Sequence, residues 1–456
     1  MRSIVLGSVF ALTVPFASGC GDDEPPPKEE KAECSTTTGE GCDAGFVCEE
    51  VEGGKAACFA PLIVSGRVFD LSNDDGIEGA TVVARDANGA AVSSVAVSDA
   101  DGNYELRVPA KRVSGGGIAA SNVTLRADAS GFLTFPRAPR VALPLDLSEA
   151  TGDPPELAST LTDVGLIPLG AGDRGTISGH VLAENPGGTL VVAGGATGIA
   201  DREGEYTVFN VPAGTQTVEG YLPGVNLESE SVEVAANAEE TGVDLDVVSD
   251  ASATVSGNVQ LVNAPGGSET SVILVVESTF DETMARGEAP PGLRAGDVSG
   301  AWSIENVPNG RYVALAAFEN DGLVRDPDTS IGGTEIVHVE VTGADVSLSD
   351  GFKVTGALAV ESPGATEPET VTMPFDLSWE DDSSEDSYDL TVFDALGAVT
   401  WEQTGIMGPR GNAPVVVTYA GPPLEPGMFY QFRAVSIKDG VPISATEDLK
   451  GVFTVE

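Results

Sequence analysis

One short pattern occurs three times along the chain, and a chain that repeats itself at this scale folds as an array of like units. Each copy opens with an aliphatic residue followed by Ser-Gly-x-Val: Val64-Ser65-Gly66-Arg67-Val68, Ile177-Ser178-Gly179-His180-Val181 and Val255-Ser256-Gly257-Asn258-Val259. Each then reaches Gly-x-aromatic-x-aliphatic with a proline close behind: Gly102-Asn103-Tyr104-Glu105-Leu106 before Pro109, Gly204-Glu205-Tyr206-Thr207-Val208 before Pro212, and Gly300-Ala301-Trp302-Ser303-Ile304 before Pro308.

The units read as all-β. In the first copy, residues 63–69, 80–86, 91–98, 104–108, 123–127 and 164–169 are short alternating or β-branched runs, the signature of strands. The turns between them carry Asp75-Gly76, Asn88-Gly89 and Asp101-Gly102, pairs that supply the positive φ of tight hairpins. Alternation puts Tyr104 and Leu106 on one face and Glu105 and Arg107 on the other. Tyr206 with Val208 and Trp302 with Ile304 repeat that pattern, so these aromatics are expected in cores.

On Ser65-Gly66-Arg67-Val68, Gly79-Ala80-Thr81-Val82, residues 99–106 and Ala129-Ser130-Gly131-Phe132, the repeated part resembles the carboxypeptidase-regulatory-like domain. The resemblance implies tandem transthyretin-like β-sandwiches of immunoglobulin-like outline, at 61–172, 173–250 and 251–350, and non-catalytic modules. The third copy carries an insertion at 279–297. Pilin-type domains of similar topology carry a Lys–Asn isopeptide bond, but between Lys55 and Lys353 the only lysine is Lys111, so these units lack that staple. Further on, Trp379 and Leu424-Glu425-Pro426-Gly427-Met428-Phe429-Tyr430-Gln431-Phe432-Arg433 resemble the fibronectin type III domain. This implies a last sandwich at 351–456, with Trp379 as core tryptophan and Tyr430 as corner tyrosine.

The start of the chain predicts export. Arg2 precedes an apolar run at 4–16, and Ala17-Ser18-Gly19-Cys20 follows. This resembles the lipobox of bacterial lipoproteins, with signal peptide 1–20 and Cys20 as the lipid-attachment residue. Gly21 after it, by resemblance to enterobacterial sorting, implies the outer membrane of a Gram-negative cell, on its periplasmic or outer side. Residues 21–33 are an acidic, proline-rich tether. The other four cysteines, Cys34, Cys42, Cys48 and Cys58, are separated by seven, five and nine residues. That spacing lacks the close pair of a zinc knuckle, so a two-disulfide module at 34–60 is expected; four cysteines allow three pairings.

The formal charge of −48 repels phosphate backbones and excludes nucleic acid as partner. The two histidines, His180 and His338, both fall on strand positions expected to face solvent, and no nucleophile elbow, phosphate loop or His-Glu-x-x-His occurs. An enzyme is not expected. Asp99-Ala100-Asp101-Gly102-Asn103 has the spacing of the front half of a calcium loop; the other reading is a turn whose aspartates cap their own backbone. Asp321, Asp326 and Asp328 form a second acidic loop, which reads either as a chelating site or as a solvated turn, and no other cofactor is expected. Tyr221, Tyr312, Tyr388, Trp401 and Tyr419 are the aromatics left over as platforms for a polysaccharide. The expected role is a lipid-anchored linear array of β-domains for adhesion or structural contact, with a carbohydrate-binding accessory protein, or a partner of another envelope protein, as the alternatives.

Overall fold

The two halves of the repeated pattern lie side by side in one sheet. Gly66 faces Tyr104 across the antiparallel pair Leu62–Asp70 and Asn103–Val108. Gly179 faces Tyr206, and Gly257 faces Trp302, in the same register. The valine closing each Ser-Gly-x-Val donates its amide to the glycine opening Gly-x-aromatic: Val68 to Gly102 at 2.8 Å, Val181 to Gly204 at 2.8 Å and Val259 to Gly300 at 2.9 Å. The repeat is therefore a pairing rule written twice, once on each strand.

The structure is a computed structural model that describes residues 34–36, 41–86, 91–136, 142–262, 270–280, 287–318, 336–349, 352–355, 357–382, 385–395, 398–411, 413–446 and 450–456. Cys20, the tether and the loop with Asp321, Asp326 and Asp328 lie outside these residues. The chain is all-β, and no α-helix occurs among the described residues.

In the first unit, Leu62–Asp70 sits between Asn103–Val108 and Val164–Leu166, and a second sheet runs Ala96–Val97, Thr81–Arg85, Asn122–Asp128, Leu145–Asp146. Val64, Val82, Tyr104, Leu106 and Leu125 fill the space between the sheets. The run expected as a strand at 91–98 forms regular pairing only at Ala96–Val97. Before and after that pair, hydroxyls replace backbone acceptors: Ser93 Oγ takes the amide of Ala84 and Ser98 Oγ that of Ala80. Short strands at Leu145–Asp146 and Glu156–Leu157, too brief to show a period, complete the unit.

The second unit is one curved nine-stranded sheet, and the third is a pair of four-stranded sheets. The last unit pairs a three-stranded sheet with a six-stranded one around Trp379, Tyr388, Phe432 and Phe453.

The repeats do not form the expected linear array. In Leu190–Ala193 every side chain is buried: Val191 and Ala193 point into the core of the second unit, Leu190 and Val192 into that of the third. Tyr221 of the second unit meets Tyr312 of the third edge to face, with ring centres 5.8 Å apart. Ala91 of the first unit packs against this shared core. Gly188 of the second unit lies between Ala91 and Pro291 of the third. Burial of otherwise wet sheet faces drives this stacking, because each apolar side chain removed from water contributes about 1.5–3 kcal/mol.

Candidate functional site

Four charged side chains are buried among the described residues, Glu49, Arg112, Arg126 and Asp128. A buried charge is tolerated only when it is paired and hydrogen-bonded, so their partners mark where the fold accepts that cost.

Arg126 sits on Asn122–Asp128 with its side chain fully buried, at 0% exposure. Its Nε donates to Asp128 Oδ2 at 2.7 Å, Nη1 to Glu288 Oε2 at 2.9 Å and Nη2 to Thr197 Oγ1 at 2.8 Å. Arg85 Nη2 reaches the same Glu288 oxygen at 3.0 Å. Asp128 is completed by the Thr134 hydroxyl at 2.6 Å. One side chain thus ties the first unit to Thr197 of the second and Glu288 of the third. Burial alone would pull the Arg126 guanidinium down, but the Asp128 and Glu288 carboxylates outweigh it and hold the group above its ordinary range. Beside this knot, Asn210 of the second unit donates to the carbonyls of Ala129 and Phe132, both at 2.9 Å, and accepts from Gly131 N.

Glu49 and Arg112 form the other joint. Cys34 pairs with Cys48 and Cys42 with Cys58, which selects one of the three pairings left open by the sequence. The hairpin of Val47–Glu49 with Ala57–Phe59 places Glu49 against the first sandwich. Arg112 Nε bonds Glu49 Oε2 at 2.5 Å, its Nη2 bonds Ala60 O at 2.9 Å, and its guanidinium lies 4.7 Å from the centre of the Phe59 ring. Ala110 N adds a bond to the other Glu49 oxygen at 3.0 Å. Lys111, the lysine considered for an isopeptide staple, points outward to Glu50.

The remaining candidates fall elsewhere. Asp99 Oδ1 accepts the backbone amides of Asp101 at 2.9 Å and Asn103 at 2.8 Å. Those amides, Asn103 first, hold the Asp99 carboxyl below its usual range. Arg67 donates to the Asp101 carbonyl at 3.1 Å, which sets a positive charge against the loop. Asp201 makes the same turn in the second unit, accepting from Glu203 and Glu205. This geometry is that of an Asx-type cap. Among the described residues, a cluster of three ligand atoms occurs only at Cys34, Cys42 and Cys58, whose sulfurs are in disulfides.

His180 pairs with Asp244 at 3.3 Å with its side chain 54% exposed, and His338 with Glu277 at 2.5 Å. Each histidine therefore stands on a solvent-facing strand beside a carboxylate.

All ten tyrosines and tryptophans of the chain are described. Nine are buried, including Tyr221, Tyr312, Tyr388 and Tyr419. The tenth, Trp401, is half-buried and stands edge to face on Tyr419 at 5.0 Å. Of the five aromatics left over as platforms, Trp401 is the one that is not buried. Sequence reasoning missed both joints; two charges of opposite sign two residues apart on one strand face, Arg126 and Asp128, were the available signal.

No protein-family model matches the chain, and no curated protein sequence matches it. Among solved structures, the chain is similar to the major pilin subunit BcpA of Bacillus cereus, at 11% identity over 64% of this chain and 98% of that one, with a TM-score of 0.16. A streptococcal ancillary pilin matches at 11% identity over 64% and 98%, with a TM-score of 0.18. A tetra-tandem repeat from the extending region of a large adhesion protein matches at 15% identity over 85% and 98%, with a TM-score of 0.14. Scores this low carry no argument about function.

Proposed function

We propose that this chain is a non-catalytic, lipid-anchored envelope protein that holds a clasped group of β-sandwiches at the outer membrane for adhesion or structural contact. One observation carries the non-catalytic part. The four charged residues buried among the described residues all serve joints between units, whereas a catalytic group is a perturbed residue facing a cleft. The anchoring part rests on Ala17-Ser18-Gly19-Cys20 and the tether at 21–33, which spans at most roughly 45 Å when extended. The strongly acidic surface supports solubility beside a membrane and disfavours direct contact with anionic headgroups.

The finer domain readings belong to the same proposal. The carboxypeptidase-regulatory-like reading of the first three units is supported by the recurring glycine–aromatic register. The fibronectin-like reading of the last is supported by buried Trp379 and by Tyr430, whose hydroxyl accepts the Glu425 amide at 2.8 Å.

The test is fractionation of cells that produce the full chain or its Cys20→Ala variant. The parent should sediment with outer membranes and the variant should be soluble; membrane retention of Cys20→Ala would overturn the anchor.

A further inference from the structure

The first and third units touch across the second, and the contact differs in kind from its neighbours. The second and third units share an apolar core. The first and second are joined by the hydrogen bonds of Asn210 and by those of Arg126 to Thr197, with no carboxylate of the second unit involved in them. Between the first and third, a carboxylate, Glu288, is gripped by Arg85 and Arg126 from 203 and 162 residues away in sequence. Glu288 is held rigidly on its own side: Val276 N donates to its carbonyl at 2.9 Å, and its amide donates to Thr279 Oγ1 at 2.9 Å. It comes from the insertion that distinguishes the third copy. Its side chain is 21% exposed while that of Arg126 is fully covered, so water reaches the carboxylate first.

We infer that Glu288 is the latch of a conformational clasp, closed when Arg85 and Arg126 hold it and open when the first unit, with its disulfide module, swings away from the third. The inference rests on this geometry and not on the anchoring proposal. Electrostatics explain why the latch has two states. With Glu288 seated, two arginines face two carboxylates, those of Glu288 and Asp128. Without it, the buried guanidinium of Arg126 and the largely covered one of Arg85 face Asp128 alone, and the excess positive charge is relieved by opening to water. The buried residues of the shared core come from the second and third units, with Ala91 of the first packed on its edge, so opening uncovers that edge and leaves the core in place.

The test uses the full chain, parent and Glu288→Gln, with arginine-specific dicarbonyl labelling read by mass spectrometry and with small-angle scattering. In the parent, Arg126 should resist labelling while Arg311, 72% exposed, reacts. In Glu288→Gln the Arg126 labelling rate should rise by about tenfold or more and the radius of gyration should increase. Hydrogen exchange along Thr270–Val276 should stay at the parent level. Glu288→Ala removes the acceptor oxygens together with the charge and should give the same labelling and expansion, again with exchange along Thr270–Val276 at the parent level. Unchanged Arg126 labelling and scattering in both variants overturns the latch.

Discussion

Tyr104 stands opposite Gly66 across the sheet, and its hydroxyl reaches over the bare glycine to donate to Thr162 O at 2.6 Å. A Cβ built on Gly66 would lie 2.1 Å from that same carbonyl oxygen and 2.9 Å from the phenol. The second unit repeats the device: Tyr206 donates to Val243 O at 2.6 Å, and a Cβ on Gly179 would lie 1.9 Å from that oxygen. In the third, a Cβ on Gly257 would meet the Trp302 ring at 2.7 Å. The Ser-Gly and Gly-x-aromatic halves recur together because each glycine leaves room for the carbonyl its tyrosine partner bonds, in the first two units, or for the Trp302 ring itself, in the third.

Gly66→Ala should therefore destabilise the first unit by about 1–3 kcal/mol, the usual cost of overpacking, and by the upper end of that range because the obstacle is backbone. Gly170, with nothing within 4 Å of a built Cβ, is the control: Gly170→Ala should stay within about 0.5 kcal/mol. Urea unfolding of the full chain followed by far-ultraviolet circular dichroism measures both. Equal midpoints for the two variants would remove the packing role of Gly66.

Alkali should unfold the chain through its tyrosines. Burial raises the ionisation of all seven, Tyr104, Tyr206, Tyr221, Tyr312, Tyr388, Tyr419 and Tyr430, above the usual value. A phenol that stays neutral when folded but ionises normally when unfolded contributes stability that is complete below about pH 10 and is lost as pH rises beyond it. Absorbance at the tyrosinate band should stay flat through the ordinary phenol range and then rise together with loss of circular dichroism. A smooth titration centred on the ordinary phenol value, with the fold intact, would contradict the burial of these rings.

Strands with one wet face were legible in the sequence. Asn103–Val108 alternates buried and exposed as its side chains dictate. What escaped was the second burial of faces that the same alternation marks as outward. On Asn122–Asp128, alternation sends Val123, Leu125 and Ala127 inward and Thr124, Arg126 and Asp128 outward, yet all six are buried because neighbouring units cover the outer face. Non-alternating runs carried part of this information: Leu190–Ala193 and Thr270–Val276 are apolar or small at nearly every position and buried at every one. The insertion at 279–297 was visible as extra length, but length does not say that Glu288 would find two arginines in the first unit. For the same reason Tyr221 and Tyr312 read as free aromatics. They lie far apart in sequence and meet only when two units share a core.

The Asp99 turn predicts a stability effect that is blind to calcium. Its Oδ1 is already engaged by the amides of Asp101 and Asn103. Asp99→Asn keeps a carbonyl acceptor and should be tolerated better than Asp99→Ala, which leaves the turn uncapped. Because the folded carboxyl titrates below its usual range, the stability it contributes is present above about pH 4 and lost as pH falls below that. Melting curves in calcium and in chelator should superimpose for all three proteins. A calcium-dependent rise in the parent that Asp99→Asn abolishes would establish a metal site instead.

The disulfide module and the first sandwich should be thermodynamically coupled through Glu49. Glu49→Ala leaves Arg112 buried without its carboxylate, a change that typically costs about 3–5 kcal/mol; the Ala60 carbonyl and the Phe59 ring retain part of the environment and favour the lower end. Glu50, whose pairing with Lys111 is exposed on both sides, should contribute under about 1 kcal/mol. Reducing Cys34–Cys48 and Cys42–Cys58 frees the hairpin that positions Glu49, and closed loops of this size contribute about 3 kcal/mol apiece. Reduction and Glu49→Ala then remove the same contact from the first unit, so their effects there should be less than additive. The amide of Ala110, which donates directly to Glu49, reports this by hydrogen exchange. Its protection should fall on either treatment and fall little further on both, whereas fully additive losses would mean that the module and the sandwich are merely tethered.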